Sequence, residues 1–153
     1  MEESTTITIT GGNEGEHLAI AGGQYRILVS GDATDARYAI IEMNVPPGGG
    51  PAPHAHPEIE ELFYVADGEV QFRTDNGPVN AATGAFIRIP LGGGVHAFKN
   101  ISEKPAKLLC TVMPAGLDKM FEEISTAGPE QAPAITQKYR QQVYPADYFD
   151  NKG

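Results

Sequence analysis

The chain has 153 residues, a length that suits one domain with a single core. Its 20 acidic and 11 basic residues leave a formal net charge of -9, and no Lys/Arg cluster interrupts them, which argues against a nucleic-acid partner. A single cysteine, Cys110, rules out an intrachain disulfide, and no apolar run approaches the length of a membrane span.

The opening "MEESTTITIT" is acidic and polar, without the basic start and apolar stretch of a secretory signal, so a cytoplasmic protein is expected. "TTITIT" alternates with period two and would be a long open edge if left alone. It is expected to pair with another strand, across a homodimer. His17, in "GEHLAI", has no partner motif and is read as exposed. The runs "YRILVS", "RYAIIEMNV", "ELFYVAD", "EVQFRT", "AFIRIP", "VHAFKN" and "AKLLCTVM" are short and rich in β-branched and aromatic residues. Gly/Pro/Asn/Asp turns separate most of them, the rhythm of an antiparallel sandwich or barrel. Asp67-Gly68 reads as a hairpin turn, with Asn76-Gly77 a second candidate. Cys110, inside "AKLLCTVMP", reads as a small buried hydrophobe.

After Pro114 the period changes. Leu117, Met120, Phe121 and Ile124 lie at helical spacing, "GPEQAP" breaks the pattern, and Ile135, Tyr139 and Val143 suggest a second helix. Residues 117–144 are therefore expected to form two helices packed outside the β structure. The expected organisation is a β-barrel over 1–116 and a helical extension of the same domain over 117–153.

The chemistry concentrates in "GGGPAPHAHPEIEELFYVADGE", residues 48–69. On an extended backbone, residues two apart face the same side, so His54 and His56 would present both imidazoles to one point. Pro53 favours that extended geometry. A carboxylate follows at Glu60 or Glu61, and His96 lies a few strands later. A mixed set of imidazoles and one carboxylate suits divalent Fe, Mn, Ni, Co, Cu or Zn.

Residues 48–68 resemble the first sequence motif of the cupins, with Gly48, His54, His56, Glu61 and Gly68 at the matching positions. The spacing to Gly68 selects Glu61 over Glu60. Residues 84–100, "GAFIRIPLGGGVHAFKN", resemble the second motif, with Gly84, Pro90, His96 and Asn100 in place. The loop "PLGGGVH" carries one residue more than the family pattern, which could shift the backbone ahead of His96. The resemblance implies an all-β fold, a double-stranded β-helix or jelly-roll barrel, holding one divalent transition metal on His54, His56, Glu61 and His96.

Strand parity places Phe63 and Val65 on the side of Glu61 and Phe98 on the side of His96, an apolar pocket wall for a small-molecule ligand or substrate. Glu60 and Tyr64 face the other way, and Asn100 is expected to support its turn. Glu61 is the candidate catalytic residue, a ligand that could also take a substrate proton. Small cupins with a segment like "MPAGLDKMFEEI" resemble quercetin-dioxygenase-type proteins, which implies an oxygen-using enzyme acting on an enol, catechol or flavonol. Two alternatives stand beside it. One is a redox-silent isomerase or lyase acting on a sugar or keto acid. The other is a non-enzymatic small-molecule binder. No nucleic-acid or membrane partner is expected.

Overall fold

Alternating burial builds the larger sheet. The computed structural model describes residues 5–150. Strand β3 (Ala39–Val45) buries Ala39, Ile41, Met43 and Val45 and turns the residues between them outward. Strand β10 (Ala106–Met113) buries Ala106, Leu108, Cys110 and Val112 in the same way. Together with β1 (His17–Ile20), β2 (Gly23–Val29), β5 (Glu60–Asp67) and β8 (Phe86–Ile89) they form a six-stranded sheet in the order β1-β2-β3-β10-β5-β8. Its pairings are antiparallel. Burying one face of such strands stabilises the fold by about 25 cal/mol per Å² of apolar surface.

The facing sheet is smaller. Strands β6 (Glu69–Thr74), β7 (Gly77–Ala82) and β9 (Ala97–Lys99) run in the order β7-β6-β9. The short β4 (His54–Ala55) pairs with β11 (Gln142–Val143). A bridge between His54 and His96 links β4 to the start of β9. Val70, Phe72 and Phe98 point inward from this sheet. Phe72 and Phe98 meet Phe63 of the larger sheet at ring-centroid distances of 5.3 and 5.7 Å, which closes the barrel with an aromatic cluster. The expected all-β jelly-roll is thus the architecture observed.

Several expectations need correction. Asp67-Gly68 is not a hairpin turn. Strand β5 pairs with β10 and β8, whereas β6 pairs with β7 and β9, so the chain changes sheets at this corner. Gly68, at φ 83°, has the Ala106 backbone so close that an added Cβ would lie 2.9 Å from its Cα. In the β6–β7 hairpin Thr74 pairs with Gly77, so the turn is Asp75-Asn76 and Gly77 follows it. Within one chain residues 5–10 pair with no strand, and Ile7 and Ile9 are each 88% exposed; the expected pairing across a homodimer concerns a second copy. The outer position of the larger sheet is held instead by β1, which follows them.

Helix α1 (Leu117–Ala127) forms where the apolar stripe predicts it. Asp118 anchors its first turn by accepting hydrogen bonds from the Gly31 and Gly116 amides at 2.9 and 3.0 Å. The second helix, α2 (Ala132–Lys138), is shorter than expected. Arg140 turns left-handed at φ 62°, and the chain continues extended. Val143 therefore does not share a helical stripe with Ile135 and Tyr139. It lies in β11, opposite His54.

Candidate metal centre

Extended backbone at β4 places His54 and His56 two residues apart on one face, as the spacing requires. The His54 amide donates to the His96 carbonyl at 3.0 Å, and the His96 amide donates back to His54 at 2.9 Å. That exchange sets the third imidazole beside the first. Glu61 arrives from the opposite sheet, in register with Val112 and Ile89. All four side chains are buried, and one donor atom from each lies within 4.8 Å of every other. The extra residue in "PLGGGVH" is absorbed in the turn after Pro90. The Gly93 amide donates to Pro90 and the Gly92 amide to Pro57, each at 2.8 Å, and His96 stays in register.

The hydrogen bonds around the rings orient them. His54 Nδ1 lies 2.8 Å from the Ala52 carbonyl and His96 Nδ1 lies 3.0 Å from the Gly94 carbonyl. A carbonyl only accepts, so both Nδ1 atoms carry the proton and both Nε2 atoms face inward with a free lone pair. Glu61 Oε1 sits 3.1 Å from His56 Nε2 and 3.3 Å from His96 Nε2. None of these three atoms, nor His56 Nδ1, has a hydrogen-bond partner. Leaving a buried polar atom unsatisfied costs roughly 1–3 kcal/mol. Converging, unpartnered imidazole nitrogens and one carboxylate oxygen fit a divalent transition metal.

The protonation states of His54 and Glu61 suit such a centre, whereas His56 would have to give up a proton to ligate. Burial, then the neighbouring His96, lowers the His54 pKa to about 4, so its imidazole is neutral and able to donate a lone pair. Burial would raise the Glu61 carboxyl, but His56 and His96 outweigh it and hold the group well below the usual carboxylate range. Burial opposes a proton on His56, yet Glu61 prevails and its pKa is raised.

Glu60 points outward to Arg88 at 2.7 Å. Tyr64 is 44% exposed on the outer face, and His17 is exposed. Asn100 is fully buried and braces its turn, donating to the Val45 and Lys104 carbonyls and accepting from the Ser102 amide and hydroxyl.

A cavity of about 590 Å³ opens onto His54, His56 and Glu61. Phe63 and Phe98 line it. Val65 shares their inward direction but is packed in the core and is not part of the wall. Sequence reasoning missed two features of this cavity. Tyr25, pushed up from its usual pKa chiefly by burial, is part of its wall. So are Leu117, Met120, Phe121 and Ile124 of α1 and Thr136 and Gln137 of α2. The C-terminal helices therefore close over the metal-side cavity rather than resting on a finished barrel. Their apolar stripe was the available signal, but a stripe does not say what it covers. Among the described residues, no Lys or Arg lines the cavity.

Cys110 is fully buried, as expected, but it is more than a hydrophobe. Its Sγ lies 3.2 Å from Glu61 Oε2 as a hydrogen-bond donor. Burial, then the Glu61 carboxylate, pushes the thiol well above its usual pKa.

Residues 41–112 match the family described as Cupin domain. Among curated proteins, the chain is similar to polyketide synthase CurC from Streptomyces cyaneus. The two are 27% identical over 118 residues, covering 75% of this chain and 72% of that protein. Among solved structures, a sugar phosphate isomerase of the cupin superfamily from Silicibacter pomeroyi is 26% identical, with a TM-score of 0.55. That match covers 62% of this chain and 61% of the other, so this chain spans less than two thirds of the isomerase's length. A Thermotoga maritima protein described as a predicted oxalate decarboxylase superposes with a TM-score of 0.62 over 70% of this chain and 99% of its own. At 21% identity that likeness shows the fold alone.

Proposed function

With the cupin double-stranded β-helix as its fold and residues 41–112 matching the cupin domain, we propose that this protein is a metal-dependent dioxygenase acting on a neutral, largely apolar enol or phenol. The observation that carries this reading is the cavity wall. It joins His54, His56 and Glu61 to Phe63, Phe98, Leu117, Met120 and Phe121, with no Lys or Arg among the described residues. A sugar phosphate or a keto acid would bring anionic charge into that wall, where nothing but the metal could offset it. An enolic or phenolic substrate brings one ionisable oxygen and an apolar body. The similarity to a polyketide synthase points the same way, because poly-β-carbonyl chains enolise readily.

When bound, the metal would supply a Lewis acid for the substrate oxygen and a route for electrons to dioxygen. His54, His56, Glu61 and His96 would hold it. Glu61, held ionised beside an apolar wall, would serve as the carboxylate ligand, and its low pKa makes it a weak base, so the enol would give up its proton to solvent as it enters. The helical wall excludes water from the reacting face. Both atoms of O₂ enter the substrate, whose own carbon–carbon π electrons reduce them, so no further reductant is required.

Oxygen-electrode assays of protein reconstituted separately with Fe, Mn, Ni, Co and Cu test this reading. Uptake is expected with at least one neutral flavonol, β-diketone or catechol, and none with sugar phosphates. A metal-loaded protein that consumes no oxygen across the panel would refute it. Turnover of a sugar phosphate or keto acid under strict anaerobiosis with Zn would establish the isomerase or lyase reading instead.

A further inference from the structure

We propose that Cys110 is a positioning residue for Glu61, whose thiol holds one carboxylate oxygen so that the other is presented to the three imidazoles. The inference deepens the metal reading of the four donors and does not depend on the oxygenase reaction. Its basis is the division of labour between the two oxygens of Glu61. Oε2 accepts the Cys110 thiol at 3.2 Å, whereas Oε1 lies 3.1 and 3.3 Å from His56 and His96 with no hydrogen-bond partner. In the β5–β10 register Glu61 faces Val112 and Phe63 faces Cys110. Glu61 and Cys110 are therefore diagonal neighbours on the inward face of the sheet, within reach of each other.

Both residues are almost completely buried, so water cannot take the place of the thiol. A carboxylate free to rotate about its last torsion would turn both oxygens toward a cation, or neither. A donor on Oε2 restrains that rotation and favours one-oxygen ligation, which leaves more of the metal's coordination positions open to substrate. The arrangement resembles the hydrogen bonds that the His54 and His96 rings donate to the Ala52 and Gly94 carbonyls, which fix those rings. A buried cysteine that only filled space would need no such contact.

The test compares Cys110→Ser, Cys110→Ala and Cys110→Val with the wild type, using Co(II) as the probe. Serine keeps a donor, alanine removes it and leaves a gap, and valine removes it while filling the space. Co(II) affinity, the Co(II) d–d absorption spectrum and the melting temperature of the metal-free protein are measured for each. The alanine and valine variants are expected to bind Co(II) about 10- to 100-fold more weakly, with an altered d–d spectrum, and serine to restore both. Wild-type affinity and spectrum in the alanine and valine variants, with only the metal-free melting temperature lowered, would reduce Cys110 to packing and overturn the proposal. A serine variant as weak as valine would overturn it too, as would a wild type that binds no Co(II). Absence of oxygenase activity leaves these readouts untouched.

Discussion

His96→Ala is expected to abolish stoichiometric metal binding, weakening affinity by more than about 100-fold. That exceeds the effect of losing a residue that merely supports a ligand. His96 is the imidazole supplied by a different segment from His54 and His56, and its Nε2 is one of the buried atoms without a hydrogen-bond partner. Alanine keeps the backbone exchange with His54, because those two bonds use only amide and carbonyl groups. The barrel should therefore persist while the site loses a ligand. Binding to the native state alone stabilises by about 4 kcal/mol when free metal is 1,000 times Kd. For a chain of this size that is a rise in melting temperature of roughly 8–16 °C. The variant should lose this metal-dependent rise and, without metal, melt within a few degrees of the wild type. Elemental analysis and calorimetry with and without metal provide the check, with His17→Ala as an exposed control that should change neither. Metal retained at wild-type stoichiometry by His96→Ala would remove this residue from the ligand set.

The part of this site that was legible in the sequence is the part that local geometry dictates. Residues two apart on an extended strand share a face whatever the rest of the chain does, so the inward direction of His54 and His56 could be read from "HAH". The strands with β-branched, alternating patterns, such as β3 and β10, were equally plain. Strand β7 was not, since "GPVNAA" has one β-branched residue and begins beside a proline. The corner at Asp67-Gly68 shows a different limit. Turn chemistry records that the chain bends, but whether the flanking strands pair depends on strands far away in sequence. Cys110 was legible as buried but not as a donor, because its partner Glu61 is 49 residues away. The helices after Pro114 show the same limit at larger scale. Their stripes predict burial of Leu117, Met120 and Phe121, yet the cavity against which those side chains rest is made by β2, β3, β5 and the approach to His54.

Gly50→Ala should be the most damaging glycine substitution in the stretch that leads to the histidines, and the contrast with Gly48→Ala isolates the reason. Both glycines have positive φ, 82° at Gly48 and 136° at Gly50. The family pattern selects Gly48, but a Cβ there would meet nothing within 4 Å. A Cβ at Gly50 would lie 2.0 Å from the Phe98 carbonyl oxygen and 3.0 Å from the Lys99 Cα. Those atoms are backbone of β9, so no side-chain rotation relieves the clash. Strand β9 must move, or the segment before Pro51 must lift away. Gly48→Ala should cost only its left-handed strain, about 1–2 kcal/mol. Gly50→Ala adds the displacement of a strand to a comparable strain, for a total of about 3–5 kcal/mol. That predicts a fall in melting temperature of about 10 °C or more, against a few degrees for Gly48→Ala. The site should suffer with the fold. Strand β9 begins directly after His96 and carries Phe98 into the cavity wall, so a shift there separates His96 from His54. Metal affinity should consequently fall in Gly50→Ala and hold in Gly48→Ala. Equal melting temperatures and equal affinities for the two variants would show that the close approach of Gly50 to β9 does not shape the metal centre.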